Sequence, residues 1–225
     1  MRCRSTLDTH VYAGWRRRFR LRSDFSMLAY KRRLPHLHPE GCYLFLTWRL
    51  WGSLPVRMQS PGDRTPGHSF AAIDRVADRL TSGPLWLQDH RIAAPVSHSI
   101  SMGASERRFY DLCAWVVMPN HVHLLILPLV PVPSLMRWLK GSTARSANRI
   151  LDRIGQRFWQ DESFDHYLRG SHQLERTAAY IERNPLSAGL VRSAEQWPRS
   201  SAGWQAKLPA PHKAQKCRNS SRRFS

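Results

Sequence analysis

Two histidines, a tyrosine and an asparagine hold the chemistry that this sequence offers. Trp115-Val116-Val117-Met118-Pro119-Asn120-His121-Val122-His123-Leu124-Leu125-Ile126 is an apolar run, a Pro-Asn turn signal and a second apolar run. It reads as two buried antiparallel strands joined tightly, with His121 and His123 opening the second. Residues two apart on a strand share a face, with Cα atoms roughly 7 Å apart at about 3.3 Å per residue. Two imidazoles so placed can converge on one metal ion. An isolated His-x-His is equally compatible with two histidines that ligate nothing, so the decision rests on the later segments.

Downstream, Leu174, Ala178 and Ile181 fall at i, i+4 and i+7 in an expected helix over Gln173–Arg183. At about 100° per residue, Tyr180 lies on the flank of that apolar stripe, with its ring against protein and its hydroxyl in a cleft. Asn184 is four residues further on the same face. It precedes Pro185, where the helix is expected to end. Imidazole together with hard oxygen suits Mg²⁺ or Mn²⁺, with water completing an octahedron. Such an ion withdraws charge from a scissile phosphate. A tyrosine hydroxyl, with a free pKa of about 10, needs a nearby cation or base to act as a nucleophile. In-line attack would leave a phosphotyrosine on one side of the break and a hydroxyl on the other. That intermediate keeps the bond energy for rejoining. Taken singly, Tyr180 also fits a boundary aromatic and Asn184 a plain helix end.

The elements that must position these residues follow from the pattern of the chain. Tyr43–Leu50 is rich in aromatic and apolar residues and reads as a first strand. Ser53–Gly67 reads as a loop and Ser69–Leu80 as a helix. Asp89–Gly103 reads as a weaker segment with a short helix. Arg108–Met118 and His121–Leu127 are the second and third strands. Ser134 is expected to cap a long helix reaching about Ile154, and Gly155–Gly170 is expected as a loop. Leu186–Val191 and Trp197-Pro198 read as a closing segment. The mixture predicts an α+β fold, a small antiparallel β-sheet packed with helices.

The 225 residues carry a formal charge of +19 with 42% hydrophobic residues. Met1–Pro35 contributes +8 and Ala206–Ser225 contributes +6, leaving +5 for the residues between. The expected organisation is a basic, disordered arm over 1–35, a catalytic domain over 36–205 and a basic tail over 206–225. Basic ends suit polyanion partners and are equally common in unstructured tails. Arg145, Arg149 and Arg153 recur at i, i+4 and i+8 of the long helix, either as a solvated face or as a row of phosphate contacts. Arg32 and Arg33, within Lys31-Arg32-Arg33, are further candidate DNA contacts. Cys3, Cys42, Cys113 and Cys217 are scattered without a CxxC pair. That reads as a reducing, cytoplasmic setting, with Cys113 a small buried hydrophobe. No apolar run reaches the ~18 residues of a membrane span, and no secretory signal is expected.

The Pro-Asn-His-Val-His core resembles the metal-binding strand of the HUH superfamily. Tyr180-Ile181-Glu182-Arg183-Asn184-Pro185-Leu186-Ser187-Ala188-Gly189-Leu190-Val191 resembles the tyrosine helix of the single-tyrosine transposases. The branch it is most similar to is the REP-associated tyrosine transposases, relatives of insertion-sequence transposases. Gly83-Pro84-Leu85-Trp86-Leu87 and Phe158-Trp159-Gln160-Asp161-Glu162-Ser163 are similar to further family segments. The resemblance spans roughly Arg33 to Ala202. Met1–Leu28 and Gln205–Ser225 do not look like the family, and Ser97–Ala104 looks less regular than the family's helix. The resemblance implies that His121 and His123 are metal ligands, that Asn184 stands at the third ligand position and that Tyr180 is the nucleophile. It implies an HUH endonuclease-like sandwich and Mg²⁺- or Mn²⁺-dependent nicking and rejoining of single-stranded DNA at hairpins or palindromic repeats. The products would be a 5′-phosphotyrosine and a 3′-hydroxyl. The enzyme would be cytoplasmic, bacterial and nucleoid-associated, a monomer or homodimer with no membrane partner. The alternative is a protein that binds hairpin DNA or RNA without cutting it. A structural zinc site is a third reading, disfavoured by the lack of a Cys/His quartet.

Overall fold

The computed structural model describes residues 27–31, 35–53 and 83–205. Its centre is a four-stranded antiparallel sheet in the order β4-β5-β3-β6, formed by β3 (Leu44–Arg49), β4 (Tyr110–Val117), β5 (His121–Pro128) and β6 (Phe164–Tyr167). β5 pairs with β4 on one side and with β3 on the other, from Leu44 opposite Ile126 to Arg49 opposite His121. All six residues of β3 are buried. Burial on both faces explains why it reads as a continuous apolar run and does not alternate. Cys113 falls at an irregularity in the β4–β5 register between Leu112 and Ala114 and is half-buried. Burial pushes its thiol pKa up.

Side-chain alternation gives the sheet two cores. Leu44, Leu46 and Trp48 face one way, with Trp115, Val117, Val122, Leu124 and Ile126. That face is covered by α1 (His90–Ser105) and α2 (Val132–Ile150). Tyr43, Phe45, Ala114, Val116 and Leu125 face the other way, against Leu174, Ala178 and Ile181 of α3 (Ser171–Ser187). The result is the expected α+β sandwich, with helices on both faces of the sheet. Beyond β4, Val117 N donates to Arg199 O (2.8 Å), so the segment leading into the short α4 (Ser201–Gln205) covers that edge.

Several expectations are corrected. Met27–Lys31, inside the segment expected as a disordered arm, forms β1, and Pro35–Pro39 forms β2. The two make an antiparallel hairpin. The rest of that arm, the helix expected over Ser69–Leu80, Arg32, Arg33 and the basic tail lie outside the described residues. α1 is a regular helix of 16 residues, capped by the Asp89 carboxylate, which accepts from Arg91 N at 2.9 Å. It runs through Ser97–Ala104 without interruption. Its buried face, Ile92, Val96, Ser99, Ile100 and Gly103, is made of small and polar residues in its second half, which is why the pattern looked weak. Gly103 is required there, because a Cβ would lie 2.7 Å from Tyr110 Cζ.

α2 starts earlier than expected, with Pro131 at its cap and Pro133 in its first turn, where the missing N–H costs nothing. It also ends earlier, at Ile150. Asp152 takes φ 53° and Arg153 N donates to Asn148 O (2.7 Å), a left-handed closure built on a residue other than glycine. Ile154, expected in the apolar stripe, is 79% exposed beyond that closure. Phe164–Tyr167, expected within a loop, is the edge strand β6 and pairs with β3. α3 passes through Pro185 to Ser187. Leu190 N donates to Pro185 O (2.9 Å) and Gly189, with φ 72°, takes the left-handed position.

The Glu182 carboxyl of α3 accepts from Ser201 Oγ (2.9 Å), which ties α3 to α4. Burial pushes its pKa above 4.5, with Glu195 adding to the shift and the Ser201 hydrogen bond opposing it. A carboxyl raised in the folded state favours folding as pH falls toward its unfolded value, and its ionised form costs stability at neutral pH. Glu182→Gln keeps an acceptor for Ser201 and removes that cost. Its melting temperature should exceed the parent's at pH 7, with the gap closing by about pH 4. A difference that does not change between those pH values would contradict this account of Glu182.

Candidate active site

β5 carries both histidines onto the face covered by α3. Residues opposite each other in antiparallel strands point the same way, and His123 stands opposite Thr47 of β3. His121 and His123 are fully buried. His123 Nδ1 is 2.8 Å from Thr47 Oγ1, and His121 Nδ1 is 2.6 Å from Asn120 Oδ1. An amide oxygen only accepts, so His121 carries its proton on Nδ1 and presents Nε2 with a lone pair. Threonine can accept from His123 in the same way. The two Nε2 atoms then face each other at 3.1 Å.

α3 brings the other two residues to this point. Tyr180 packs its ring 5.8 Å from the His123 ring and edge-on to Phe45 at 6.2 Å, yet stays 40% exposed. A ring held by protein with an accessible side is the placement expected from its position on the flank of the stripe. Asn184 lies one turn further along, because the helix continues through Pro185. Its Nδ2 is 3.5 Å from His123 Nε2, and its Oδ1 is buried without a hydrogen-bond partner among the described residues. A buried amide oxygen left unpaired costs about 1–3 kcal/mol. An amide turned by 180° places oxygen where nitrogen now faces the ring. Two imidazole lone pairs and one amide oxygen, all buried and gathered beside an accessible phenol, fit the mixed N/O donor set of a divalent cation. The structure thus gathers all four residues.

The candidate phosphate row does not survive as one face. Arg145 and Arg149 are exposed on α2. Arg153 lies past the helix end, over the Trp86 ring at 4.2 Å. Arg157, which the spacing did not single out, sits over Trp51 at 4.5 Å, and Trp86 stacks on Phe158 at 5.5 Å. Trp51 itself is exposed. The sequence reading also missed Thr47 and Asn120. Asn120 was readable as the polar neighbour of His121, whereas Thr47 is linked to the site only through the strand register. Arg49, buried in β3, stands opposite His121 in the same register.

The unpaired amide has a testable cost. In metal-free protein, Asn184→Leu, similar in volume and without a polar group to desolvate, should be neutral or raise stability by up to about 1 kcal/mol. Urea unfolding in EDTA checks this. A loss above about 2 kcal/mol, the range of a broken buried contact, would mean that the amide holds the fold together instead of waiting for a ligand.

Residues 88–184 match the family model described as "Transposase IS200 like". A REP-associated tyrosine transposase of Escherichia coli (strain K12) is 29% identical over 105 residues. That alignment takes in 46% of this chain and 61% of the relative. A solved structure described as a REP-associated tyrosine transposase bound to a REP hairpin aligns with a TM-score of 0.49 at 19% identity, covering 88% of this chain and 100% of that one. The segment that gathers His121, His123, Tyr180 and Asn184 is thus matched by the IS200-like transposase family, and the likeness to REP-associated tyrosine transposases read from the sequence is met again in a curated relative.

Proposed function

We propose that this chain is a transposase-like enzyme that nicks and rejoins single-stranded DNA at hairpin or palindromic repeats through a 5′-phosphotyrosine, with Mg²⁺ or Mn²⁺ as cofactor. The observation that carries the reading is the accessible Tyr180 ring beside the buried His121–His123 pair, with Asn184 one helical turn away. His121 Nε2, His123 Nε2 and Asn184 Oδ1 would hold the cation. That ion, when bound, supplies positive charge to the phosphate oxygens and to the forming phenolate. The chain's own residues do the rest. Thr47 and Asn120 accept from the Nδ1 atoms and keep each Nε2 lone pair turned to the site. Phe45 and His123 fix the Tyr180 ring, so its hydroxyl meets phosphorus from one direction. In the attack, Tyr180 Oη gives its proton to solvent and bonds to phosphorus, while the P–O3′ bond breaks and the leaving oxygen takes a proton from solvent to become a free 3′-hydroxyl. Attack by a 3′-hydroxyl on the phosphotyrosine reverses the step and can join a different partner.

The basic character of the chain and the Arg153–Trp86 and Arg157–Trp51 pairs support a nucleic-acid partner, since bases stack on aromatic rings and phosphates pair with guanidinium. The REP hairpin bound in the aligned structure is what that protein binds. For this chain hairpin DNA is our proposal, as are Arg145 and Arg149, and Arg32 and Arg33 in the undescribed stretch, as contacts to it. No described helix is long and apolar enough to cross a membrane.

The test is to incubate the protein with end-labelled, hairpin-bearing single-stranded DNA from the flanks of its own gene, with and without Mn²⁺, and to resolve the products on a denaturing gel. A metal-dependent protein band carrying the DNA label is expected. Tyr180→Phe should abolish that band while leaving binding within a few-fold, because only the hydroxyl is lost. His121→Ala with His123→Ala should remove metal-dependent cutting. Normal cutting by either variant would refute the assignment, and a mobility shift without any covalent band would favour the non-cutting hairpin binder.

Thr47→Val tests the orientation of His123. It is nearly isosteric and removes the partner of His123 Nδ1. The concentration of Mn²⁺ needed for half-maximal cleavage should rise about 10- to 100-fold, the usual cost of losing a residue that orients a ligand. An unchanged Mn²⁺ requirement would mean that Thr47 does not orient the ligand.

A further inference from the structure

A second cluster lies on the opposite side of the sheet. Asp165 of β6 stands opposite Leu46, so it points to the α1/α2 face, whereas Phe164 and His166 point to the α3 face with His123. His36 and His38, two apart on β2, share one face of the hairpin and meet Asp165 from outside β6. His36 Nδ1 is 2.9 Å from Asp165 Oδ2, and His38 Nε2 contacts the same oxygen. The other nitrogen of His36, Nε2, lies 3.4 Å from Glu162 Oε2. His36, His38 and Asp165 are each almost wholly buried. One donor atom from each of the three lies within 4.8 Å of the others.

We propose that His36, His38 and Asp165 form a Zn²⁺ site that locks the β1–β2 hairpin onto β6. The donor set is two ring nitrogens and one carboxylate oxygen, with a fourth, tetrahedral position left for water. Glu162 does what the outer carboxylate of a carboxylate–histidine–metal triad does. It accepts from His36 Nε2, so that Nδ1 carries the lone pair toward the ion. A hydrogen-bonded triad would satisfy some of these atoms. Two features favour the ion. Both rings aim at a single carboxylate oxygen, and a second carboxylate backs one of them, the arrangement that concentrates negative charge and ring lone pairs at one point. Zn²⁺ binds a site of two ring nitrogens and a carboxylate more tightly than Mg²⁺ or Mn²⁺ does.

The consequence is mechanical. A two-stranded hairpin is marginally stable by itself. The histidines are 127 and 129 residues from Asp165 in the chain, so an ion shared among them closes a very long loop. β6 leads directly into α3, which carries Tyr180, with three residues between them. A pinned β6 therefore fixes the start of the tyrosine helix from the far side of the sheet.

The experiment uses the full, untagged chain and Zn²⁺ alone. After gel filtration, bound zinc is counted by mass spectrometry for the parent, His38→Gln and Asp165→Asn. Each variant should hold about one zinc per chain fewer than the parent. A folded variant that keeps the full complement overturns the site, as does a parent that holds none. Because either variant could fail to fold, hydrogen exchange is followed on the parent with and without Zn²⁺. Zinc should slow amide exchange in β2 and β6, and unchanged exchange in both strands also overturns the proposal. These readouts use neither DNA nor cleavage, so they stand or fall separately from the function proposed for Tyr180.

Discussion

The active-site face depends on the pairing of β3 with β5. That register sets Thr47 opposite His123 and Arg49 opposite His121. A slip of one residue would turn both imidazoles into the α1/α2 core, since neighbouring residues point to opposite faces. The apolar residues between the polar ones guard against it. Val122 and Leu124 are buried on one face and Leu125 on the other, so any slip would exchange core residues for histidines. The two fully buried imidazoles of β5 and the buried Asn184 amide of α3 are polar groups set among well-packed hydrophobes. Burying polar groups costs stability unless they are paired; both imidazoles are hydrogen-bonded, and Asn184 Oδ1 is left without a partner among the described residues.

The parts of the site that lie within one element were legible in the sequence. His121 and His123 follow from strand alternation, and Tyr180 and Asn184 follow from helical spacing. The same is true of the sandwich. The Leu174, Ala178 and Ile181 stripe is the face that packs on the sheet. What escaped depends on partners distant in the chain. β6 is four residues long and none of them is fully buried, so nothing in Phe164–Tyr167 announces a strand until β3 is beside it. β2 is a strand bounded by prolines, which reads as punctuation unless its partner β1 is known. Thr47 and Asp165 carry no local signal for the same reason, whereas His36-Leu37-His38 repeats the His-x-His spacing but is flanked by Pro35 and Pro39 and does not look like a strand by itself.

Helix ends were the other weak point, and the failures share a cause. In sequence Pro185 reads as a stop and Ser134 as a cap, but Pro133 lies in the first turn of α2 and Pro185 in the last turn of α3. The real stops are left-handed residues, Asp152 and Gly189. Asp152 gives no such warning from its residue type, so α2 was extended to include Arg153. The actual position of Arg153, against Trp86, moves it from a helix face to an aromatic cluster.

The closure of α3 matters most for chemistry. Had the helix ended at Arg183, Asn184 would have been a free residue with no fixed relation to Tyr180. Because Leu190 and Gly189 donate back to Pro185 and Leu186, the last turn is hydrogen-bonded past Asn184 and the four-residue spacing becomes a rigid one. That spacing places the phenol at the rim and the amide inside, both close to the His123 ring. In the proposed reaction Tyr180, as nucleophile, must reach solvent and substrate, whereas Asn184, as a metal ligand, gains from exclusion of water. One turn of helix, seated on the apolar stripe of Leu174, Ala178 and Ile181, meets both demands, and Gly189 secures it without touching either residue.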